Sequence, residues 1–279
     1  MSIKSLWREY GSLKIITGLV CILAWIAPCS AQEAHQVVAT GVEASTPEAS
    51  FYYSRVDCYG FIRKPPVRPL GMIFKSMHDK ELVSQDDTVY LRPISSSPTS
   101  AFGVGSRLTI YRTMKPTAAK DSEKSIGTQH YLTGVVEVTR SESNYAIAKV
   151  VNTYRTIRIG DLLMPYEKRA PNIKTRESTP GIQGRIIATE NHDYLINTDT
   201  IAFIDKGKAD NIHPGQKYAI YYQESEPDPH DKNAPPIILA PVDIGTFLVL
   251  HTEQTTSTVY ITAIWDKTTP GFKFRSPPR

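Results

Sequence analysis

The fold follows from one repeated segment, Gly105-Ser106-Arg107-Leu108-Thr109-Ile110-Tyr111, which recurs 110 residues later as Gly215-Gln216-Lys217-Tyr218-Ala219-Ile220-Tyr221. In both copies a glycine precedes β-branched and aromatic residues, a pattern typical of a strand that begins at a tight turn. Four more pairs lie at similar spacings of 113, 112, 111 and 111 residues: Gly71 with Gly184, Asp87 with Asp199, Gly134 with Gly245, and Gly160 with Gly271. The sequence therefore predicts a unit of about 111 residues that occurs twice.

Each unit contains short strand patterns and no amphipathic helix of about twelve residues. The strands expected in the first unit are Thr88–Leu91, Leu108–Tyr111, Val135–Val138 and Ala146–Val151. In the second unit, Gly245–Leu250 and Ser257–Ile261 predict a hairpin connected through the polar residues Glu253–Thr256. Parallel sheets need crossover helices, so the pattern excludes them. We predict an all-β protein made of two tandem repeats of a small antiparallel barrel or sandwich.

The N-terminus has the pattern of a secretory signal peptide. Lys4, Arg8 and Lys14 precede the apolar stretch Ile15–Ala27, and small residues follow up to Ala31. The apolar stretch is shorter than the roughly 20 residues of a membrane span. We predict cleavage after Ala31 and therefore an exported, periplasmic protein. The alternatives are a signal retained as an anchor and association with the outer membrane or the cell wall.

The whole chain has 279 residues, of which 41% are hydrophobic, too many for a disordered protein. The predicted organisation is a signal peptide at 1–31, a flexible leader at 32–52, β-unit 1 at 53–166, a linker at 167–180, β-unit 2 at 181–274 and a frayed tail at 275–279.

Charge and cysteine content limit the function classes. The net charge of +4 falls to about +2 when residues 1–31 are removed, which gives no electrostatic footprint for nucleic acid. Removal of the signal also takes away Cys21 and Cys29 and leaves Cys58 alone. We interpret Cys58 as a buried structural cysteine, and a disulfide between two chains is the alternative.

The sequence contains no recognisable catalytic or metal-binding motif. Its seven histidines form no zinc-ligand spacing, and no nucleophile elbow is present. The pairs His78-Asp79 and His192-Asp193 recur in both units, which favours a role in turns. We predict no enzymatic activity, no cofactor and no metal site.

Two long polar connections and one basic segment are the candidate contact regions. The connections are the 22 residues between Tyr111 and Gly134 and the 23 between Tyr221 and Gly245, and loops of this length are often functional or disordered. Arg63–Pro69 combines basic residues with three prolines, a composition that favours either an extended docking segment or a solvated strand. The predicted contact residues are Arg63, Lys64, Arg68, Lys115, Lys120, Asp228, His230 and Lys232.

Four stretches carry a resemblance to a known family: Ile159–Pro165, Ile201–Gly207, Pro214–Tyr218 and Pro241–Thr246. They resemble the β-rich region that follows LysM peptidoglycan-binding modules in Gram-negative envelope proteins. More distantly, they are similar to the C-terminal domain of flagellar assembly protein T, a periplasmic part of a flagellar basal-body ring. The likeness covers most of residues 53–274. The interval Gln32–Tyr52 is too short for a LysM module.

This resemblance implies a periplasmic structural or assembly protein of an envelope machine, such as a flagellar ring or a secretion complex. The partners would be envelope proteins, and a homo-oligomer is an open alternative. Peptidoglycan or cell-wall binding through basic and tyrosine-bearing surfaces is the second candidate function.

Overall fold

The computed structural model describes residues 49–94, 99–116, 126–230 and 234–277. The predicted signal peptide, the leader up to residue 48, Lys120 and Lys232 lie outside these ranges. The described strands are β1 (Ser50–Tyr52), β2 (Phe61–Arg63), β3 (Gly71–Ser76), β4 (Thr88–Pro93), β5 (Arg107–Met114), β6 (Thr128–Ser141), β7 (Ala146–Thr153), β8 (Leu162–Pro165), β9 (Asn172–Lys174), β10 (Gln183–Thr189), β11 (Ile201–Ile204), β12 (Lys217–Tyr222), β13 (Ser225–Glu226), β14 (Ile237–Ile238), β15 (Val242–Thr252), β16 (Ser257–Ile264) and β17 (Lys273–Arg275). Three 3-10 turns accompany them, at Met77–Asp79, Thr99–Phe102 and Lys208–Asp210.

The strands form two closed antiparallel barrels of six strands each, which confirms the predicted fold class and selects the barrel over the sandwich. Barrel 1 has the order β3-β4-β7-β6-β5-β8 and closes through pairing of β8 with β3. Barrel 2 has the order β10-β11-β16-β15-β12-β17 and closes through pairing of β17 with β10. Closure removes the open sheet edges within each barrel.

Each barrel has its own apolar interior, filled by alternate residues of its strands. The largest fully buried side chains inside barrel 1 include Ile73, Leu91 and Leu163. In barrel 2 the rings of Tyr218, Phe247 and Phe274 pack against each other with centroids 5.1 to 5.7 Å apart. The second core therefore depends on aromatic packing, whereas the first depends mainly on aliphatic side chains.

The two barrels have irregularities in strand register at equivalent positions. They therefore resemble each other in local backbone geometry as well as in strand order. Extra residues interrupt the pairing after Ile73 and Ile186, after Ile110 and Ile220, after Val135 and Thr246, and after Val138 and Val249. Such β-bulges bend a strand and increase its twist, as closure of a small barrel requires. Matched bulges also fix which residues of the two barrels correspond.

One pairing in the sequence alignment is wrong by a single residue. Asp86 and Asp199 have positive φ angles of 70° and 68°, and their N–H groups donate to the equivalent carbonyls of Val150 and Ile261. Asp86, and not Asp87, is therefore the counterpart of Asp199. The recurring His-Asp pairs are displaced in the same way, since Asp79 occupies the position of His192.

The glycines that precede strands have the predicted conformation. Gly105, Gly215, Gly160 and Gly271 have φ angles between 84° and 106°, in the region that favours glycine. Each lies two residues before the start of a barrel strand. These glycines therefore turn the chain into β5, β12, β8 and β17.

The first long connection is shorter than predicted, because β6 begins at Thr128 rather than near Gly134. Gln129, His130 and Thr133 are buried polar residues within this extension. Gln129 and His130 pair with β5 on one side and, with Thr128, with β2 on the other. The carbonyl of Thr133, at a bulge, accepts from the N–H groups of Tyr154 and Arg155. Polar composition alone suggested a loop, whereas pairing with neighbouring strands makes the segment a strand.

The ends of the predicted leader and the predicted linker form a small sheet of their own. Strand β1 pairs antiparallel with β9, so that Phe51 lies opposite Ile173. Phe51 and Tyr53 also pack against Tyr260, on the outside of barrel 2. At the other end of the barrels, Arg275 belongs to β17 and forms an ion pair with Asp243 at 2.8 Å. Apolar side chains order these stretches, whose composition had suggested a leader and a linker.

We expect a Gly105→Ala substitution and a Gly215→Ala substitution to differ in cost. Both glycines have positive φ, but a Cβ at Gly105 has no neighbour within 4 Å, whereas one at Gly215 would collide with the carbonyl oxygen of Lys174. Gly105→Ala should lower the free energy of unfolding by about 1 kcal/mol, and Gly215→Ala by about 3 kcal/mol because overpacking is added. Urea denaturation followed by circular dichroism measures both. Equal losses would contradict the close approach of β9 to barrel 2.

Candidate functional site

The two barrels meet on a short connecting segment, Val56–Arg63, which we call the seam. Its strand β2 pairs with the first residues of β6. Successive side chains of a strand point in opposite directions, and in the seam both sets of side chains are packed. Phe61 packs with Tyr111 and Leu132 of barrel 1, whereas Ile62 packs with Ile187 and Phe203 of barrel 2. One strand therefore contributes to two interfaces.

A buried ion pair lies beside the seam. Glu190, which follows β10, places its carboxylate 2.6 Å from the guanidinium of Arg155, which follows β7. The backbone N–H of Gly60 donates to the same carboxylate at 2.5 Å. Arg155 also donates to the carbonyls of Cys58 and Leu132, and it lies over the ring of Tyr131 at 4.3 Å from the centroid. Both barrels and the seam therefore converge on Glu190.

Burial raises the pKa of the Glu190 carboxyl, and the positive charge of Arg155 acts in the opposite direction. Both carboxylate oxygens accept hydrogen bonds, Oε1 from the Gly60 N–H and Oε2 from Arg155. Glu190 therefore connects barrel 2 to the seam and to barrel 1.

Cys58 lies next to this ion pair and is half-buried rather than fully buried. Its backbone carbonyl accepts from Arg155, and burial raises the pKa of its thiol. A raised pKa keeps the thiol protonated and lowers its nucleophilicity. The predicted burial of Cys58 is therefore only partial, and its structural role stays a prediction.

A cleft of about 740 Å³ opens on the other side of the seam. It is lined by apolar side chains of the seam and barrel 1, among them Phe61, Val67, Leu132 and Met164. The charged residues that line it are six basic and three acidic: Arg63, Arg68, Lys168, Arg169, Lys174, Arg176, Asp57, Glu167 and Glu253. Its apolar lining and excess of positive charge would suit an anionic group attached to a less polar body.

Several of these charges already have partners within the chain. Arg169 donates to the carbonyls of Val56 and Tyr59 and lies over the Tyr59 ring at 4.2 Å. Arg63 approaches Glu253 at 3.6 Å, across the junction of the two barrels. Burial alone would raise the pKa of the Glu253 carboxyl, but the hydrogen bond with His251 and the charge of Arg63 lower it below its ordinary value. Arg169 therefore has a structural role, whereas Arg68 is exposed on the rim.

Two buried side chains near the cleft are held in their neutral forms. Burial lowers the pKa of His130, whose Nε2 accepts from the backbone N–H of Val67. Burial also raises the pKa of Tyr111 to about 12. The neutral imidazole stacks on Phe61 with centroids 4.6 Å apart. These residues position the Arg63–Pro69 segment, which bends at Lys64 and Pro65 around a cis peptide bond.

The predicted contact residues lie in three separate places. Arg63 and Arg68 line the cleft, and Lys64 is exposed beside it. Lys115 is exposed just after β5. Asp228 and His230 lie after β13, where the Asp228 carboxylate accepts from the backbone N–H of His230 at 2.8 Å. The structure therefore does not assemble the described members of this set into one site.

Sequence analysis missed an exposed apolar strip in the second long connection. This connection forms a small hairpin, β13–β14, which projects Ile237 and Ile238 into solvent. Leu239 and Val242 follow them and are also exposed. The signal was present in the sequence, because Ile237-Ile238-Leu239 is an apolar triplet within an otherwise polar loop. The predicted contact residues of that loop were all polar, namely Asp228, His230 and Lys232.

The described residues contain no cluster of three or more His, Cys, Asp or Glu side chains that could hold a metal ion. In the same ranges, no helix is long and apolar enough to cross a bilayer. A comparison with models of protein families and a search of curated proteins found no match to this chain.

We expect Glu190→Ala to lower the free energy of unfolding by about 3 kcal/mol, because it leaves Arg155 without its counter-charge in a buried place. Glu190→Gln should cost less, because an oxygen remains to accept from Gly60. The exposed pair Arg107 and Glu137, with 54% and 36% side-chain exposure, is the matched control. Glu137→Ala should cost less than about 1 kcal/mol. Urea denaturation of the three variants tests this, and similar losses for Glu190→Ala and Glu137→Ala would refute the central role of Glu190.

Proposed function

We propose that this chain is a non-enzymatic structural or assembly protein of the bacterial periplasm that belongs to an envelope machine, such as a flagellar ring or a secretion complex. The N-terminal signal pattern supports export, and the resemblance of residues 53–274 to envelope proteins supports the choice of machine. The observation that carries the proposal is the exposed apolar strip on and after hairpin β13–β14.

The strip has the features of a protein-contact surface. Ile238 is 70% exposed and Val242 is 57% exposed, and Ile237 and Leu239 lie beside them. Contiguous exposed aliphatic side chains are costly in water and are characteristic of binding sites. A two-stranded hairpin with open edges also offers backbone groups to an incoming strand.

The described side chains favour binding over chemistry. The most buried acid near the seam, Glu190, is occupied by Arg155 and Gly60. The two histidines around Phe61 are His130, which is held neutral by burial, and His251, which pairs with Glu253 at 3.0 Å. These groups are used to hold the barrels together, which supports an architectural role.

We expect the purified chain to retain envelope proteins from the membrane and periplasmic fractions of the organism that encodes it. An Ile237→Glu/Ile238→Glu variant should retain at least about tenfold less, because two buried contacts of about 1 kcal/mol each are lost. Mass spectrometry of the retained proteins is the measurement. Val104→Glu, which changes another exposed aliphatic residue with 71% exposure, is the matched control. If the wild-type chain retains no envelope proteins, the assembly proposal fails.

Binding to the anionic cell-wall polymer is the second candidate, and the basic cleft favours it. Arg63 and Arg68 lie on a surface where basic residues outnumber acidic ones by six to three. Such a site would bind by charge and would weaken as salt is added.

If the cleft binds the polymer, the purified chain should sediment with isolated sacculi at low ionic strength. Arg63→Glu/Arg68→Glu should weaken this binding by about tenfold, since two contacts of roughly 0.7 kcal/mol each are lost. Lys273→Glu changes an exposed basic residue of barrel 2 outside the cleft and should leave binding unchanged. An absence of co-sedimentation, or equal loss for Lys273→Glu, would exclude this second candidate.

A further inference from the structure

The two barrels have an equivalent outer face that is covered in one barrel and open in the other. Strands β3, β4 and β7 form this face in barrel 1, and β10, β11 and β16 form it in barrel 2. The matched bulges and strand pairs give the residue correspondence. Phe74, Tyr90 and Tyr145 of barrel 1 correspond to Ile187, Phe203 and Thr256 of barrel 2.

In barrel 2 this face is covered by the edge of barrel 1. Ile62 of β2 packs on Ile187 and Phe203, with Ile126 beside it. The hydroxyl of Thr256 donates to the carbonyl of Ile62 at 2.6 Å. Ile187, Phe203 and Thr256 are each no more than 5% exposed as a result. Within this chain, the face of barrel 2 is therefore covered by an apolar strand edge.

In barrel 1 the same face is open, and we call it the open face. Phe74 is 40% exposed and Tyr145 is 37% exposed, with Tyr90 half-buried between them. The three rings form a cluster with centroids 6.1 to 6.4 Å apart. Three aromatic side chains on neighbouring strands form a larger apolar surface than their covered counterparts in barrel 2.

The covering strand β2 pairs with Thr128–His130 of β6, and Ile126, just before them, also packs on the covered face. The spacing of 111 residues places the counterpart of Ile126 at Ile237 and those of Thr128–His130 at Leu239–Pro241, just before β15. These residues form part of the exposed segment Ile237–Val242, which we call the free edge. Ile238, Leu239 and Val242 on it are 70%, 40% and 57% exposed. The chain thus presents an uncovered face on one barrel and an uncovered edge on the other.

We propose that copies of this chain associate head to tail, with the free edge of one copy docked on the open face of the next. The internal junction between the barrels supports this choice of occupant, because there Ile126, the counterpart of Ile237, packs on the equivalent face of barrel 2. In such an assembly one open face stays unoccupied at one end and one free edge at the other. Further copies can therefore add until a ring closes or a filament forms.

The proposed contact between two copies of the chain lacks the ion pair found at the junction between the two barrels of one copy. The strand correspondence places Met77 where barrel 2 has Glu190, and Asp266 where barrel 1 has Arg155. The internal ion pair is therefore absent from the contact between copies, which depends on apolar and aromatic burial. Such an interface is weaker than the internal one, and its assembly depends on protein concentration.

This inference deepens the proposed function by naming a second copy as one partner, and it rests on that proposal only for the biological purpose of the assembly. Sedimentation velocity of the purified chain from about 1 to about 100 µM should show an average mass that rises beyond that of a dimer. The face variant Phe74→Glu/Tyr145→Glu and the edge variant Ile238→Glu/Val242→Glu should each remain monomeric. Their circular dichroism spectra should match that of the wild type, because all four positions are exposed.

A mixture of the two variants distinguishes head-to-tail association from other arrangements. The face variant keeps an intact edge and the edge variant an intact face, so equal amounts should form a one-to-one dimer that grows no further. Val104→Glu and Tyr194→Glu change exposed apolar residues outside both surfaces and should assemble like the wild type.

A wild-type chain that stays monomeric over this range overturns the proposal. A mixture that stays monomeric overturns it as well. A monomeric chain that still retains envelope proteins would leave the proposed function standing. Self-association without retention of envelope proteins would support the head-to-tail contact and contradict the proposed function.

Discussion

The structure depends on a strand of only three residues whose two faces are both apolar. In β2, Phe61 faces barrel 1 and Ile62 faces barrel 2, so neither barrel can bury its outer surface here without the other. Burial of two such side chains contributes about 2 kcal/mol each. The ion pair of Glu190 with Arg155 fixes the orientation that this apolar contact leaves undetermined, because its geometry is met in only one arrangement.

Duplication explains how the two halves came to differ. In barrel 1, Tyr154 and Arg155 follow β7, and the equivalent residues after β16 are Trp265 and Asp266. Arg155 donates into the seam, whereas Trp265 is 65% exposed. The position of Arg155 contributes to the junction between the barrels, whereas the equivalent position in barrel 2 has no such role and can hold a different residue. The interiors also differ, aliphatic in barrel 1 and aromatic in barrel 2, yet each fills a closed barrel of six strands.

The repeat, the all-β class and the glycine turns could be predicted because they leave local and periodic signals. The pairing of Asp87 with Asp199 was off by one residue because the sequence contains two adjacent aspartates, and only the φ angle identifies Asp86 as the turn residue. The start of β6 was missed because Gln129 and His130 are polar, and their partners come from β2, β5 and barrel 2. The exposed strip at Ile237 and the face around Phe74 could not be predicted in full, since solvent exposure depends on the tertiary structure.

Strand β1 affects how the chain would respond to mechanical load. Barrel 1 follows it directly in the sequence, yet β1 pairs with β9, and Phe51 and Tyr53 rest on Tyr260 of barrel 2. A pulling force applied ahead of Ser50 would therefore act first on β9 and barrel 2, through three residue pairs and a cluster of rings. Barrel 1 would be shielded from tension until that attachment gave way.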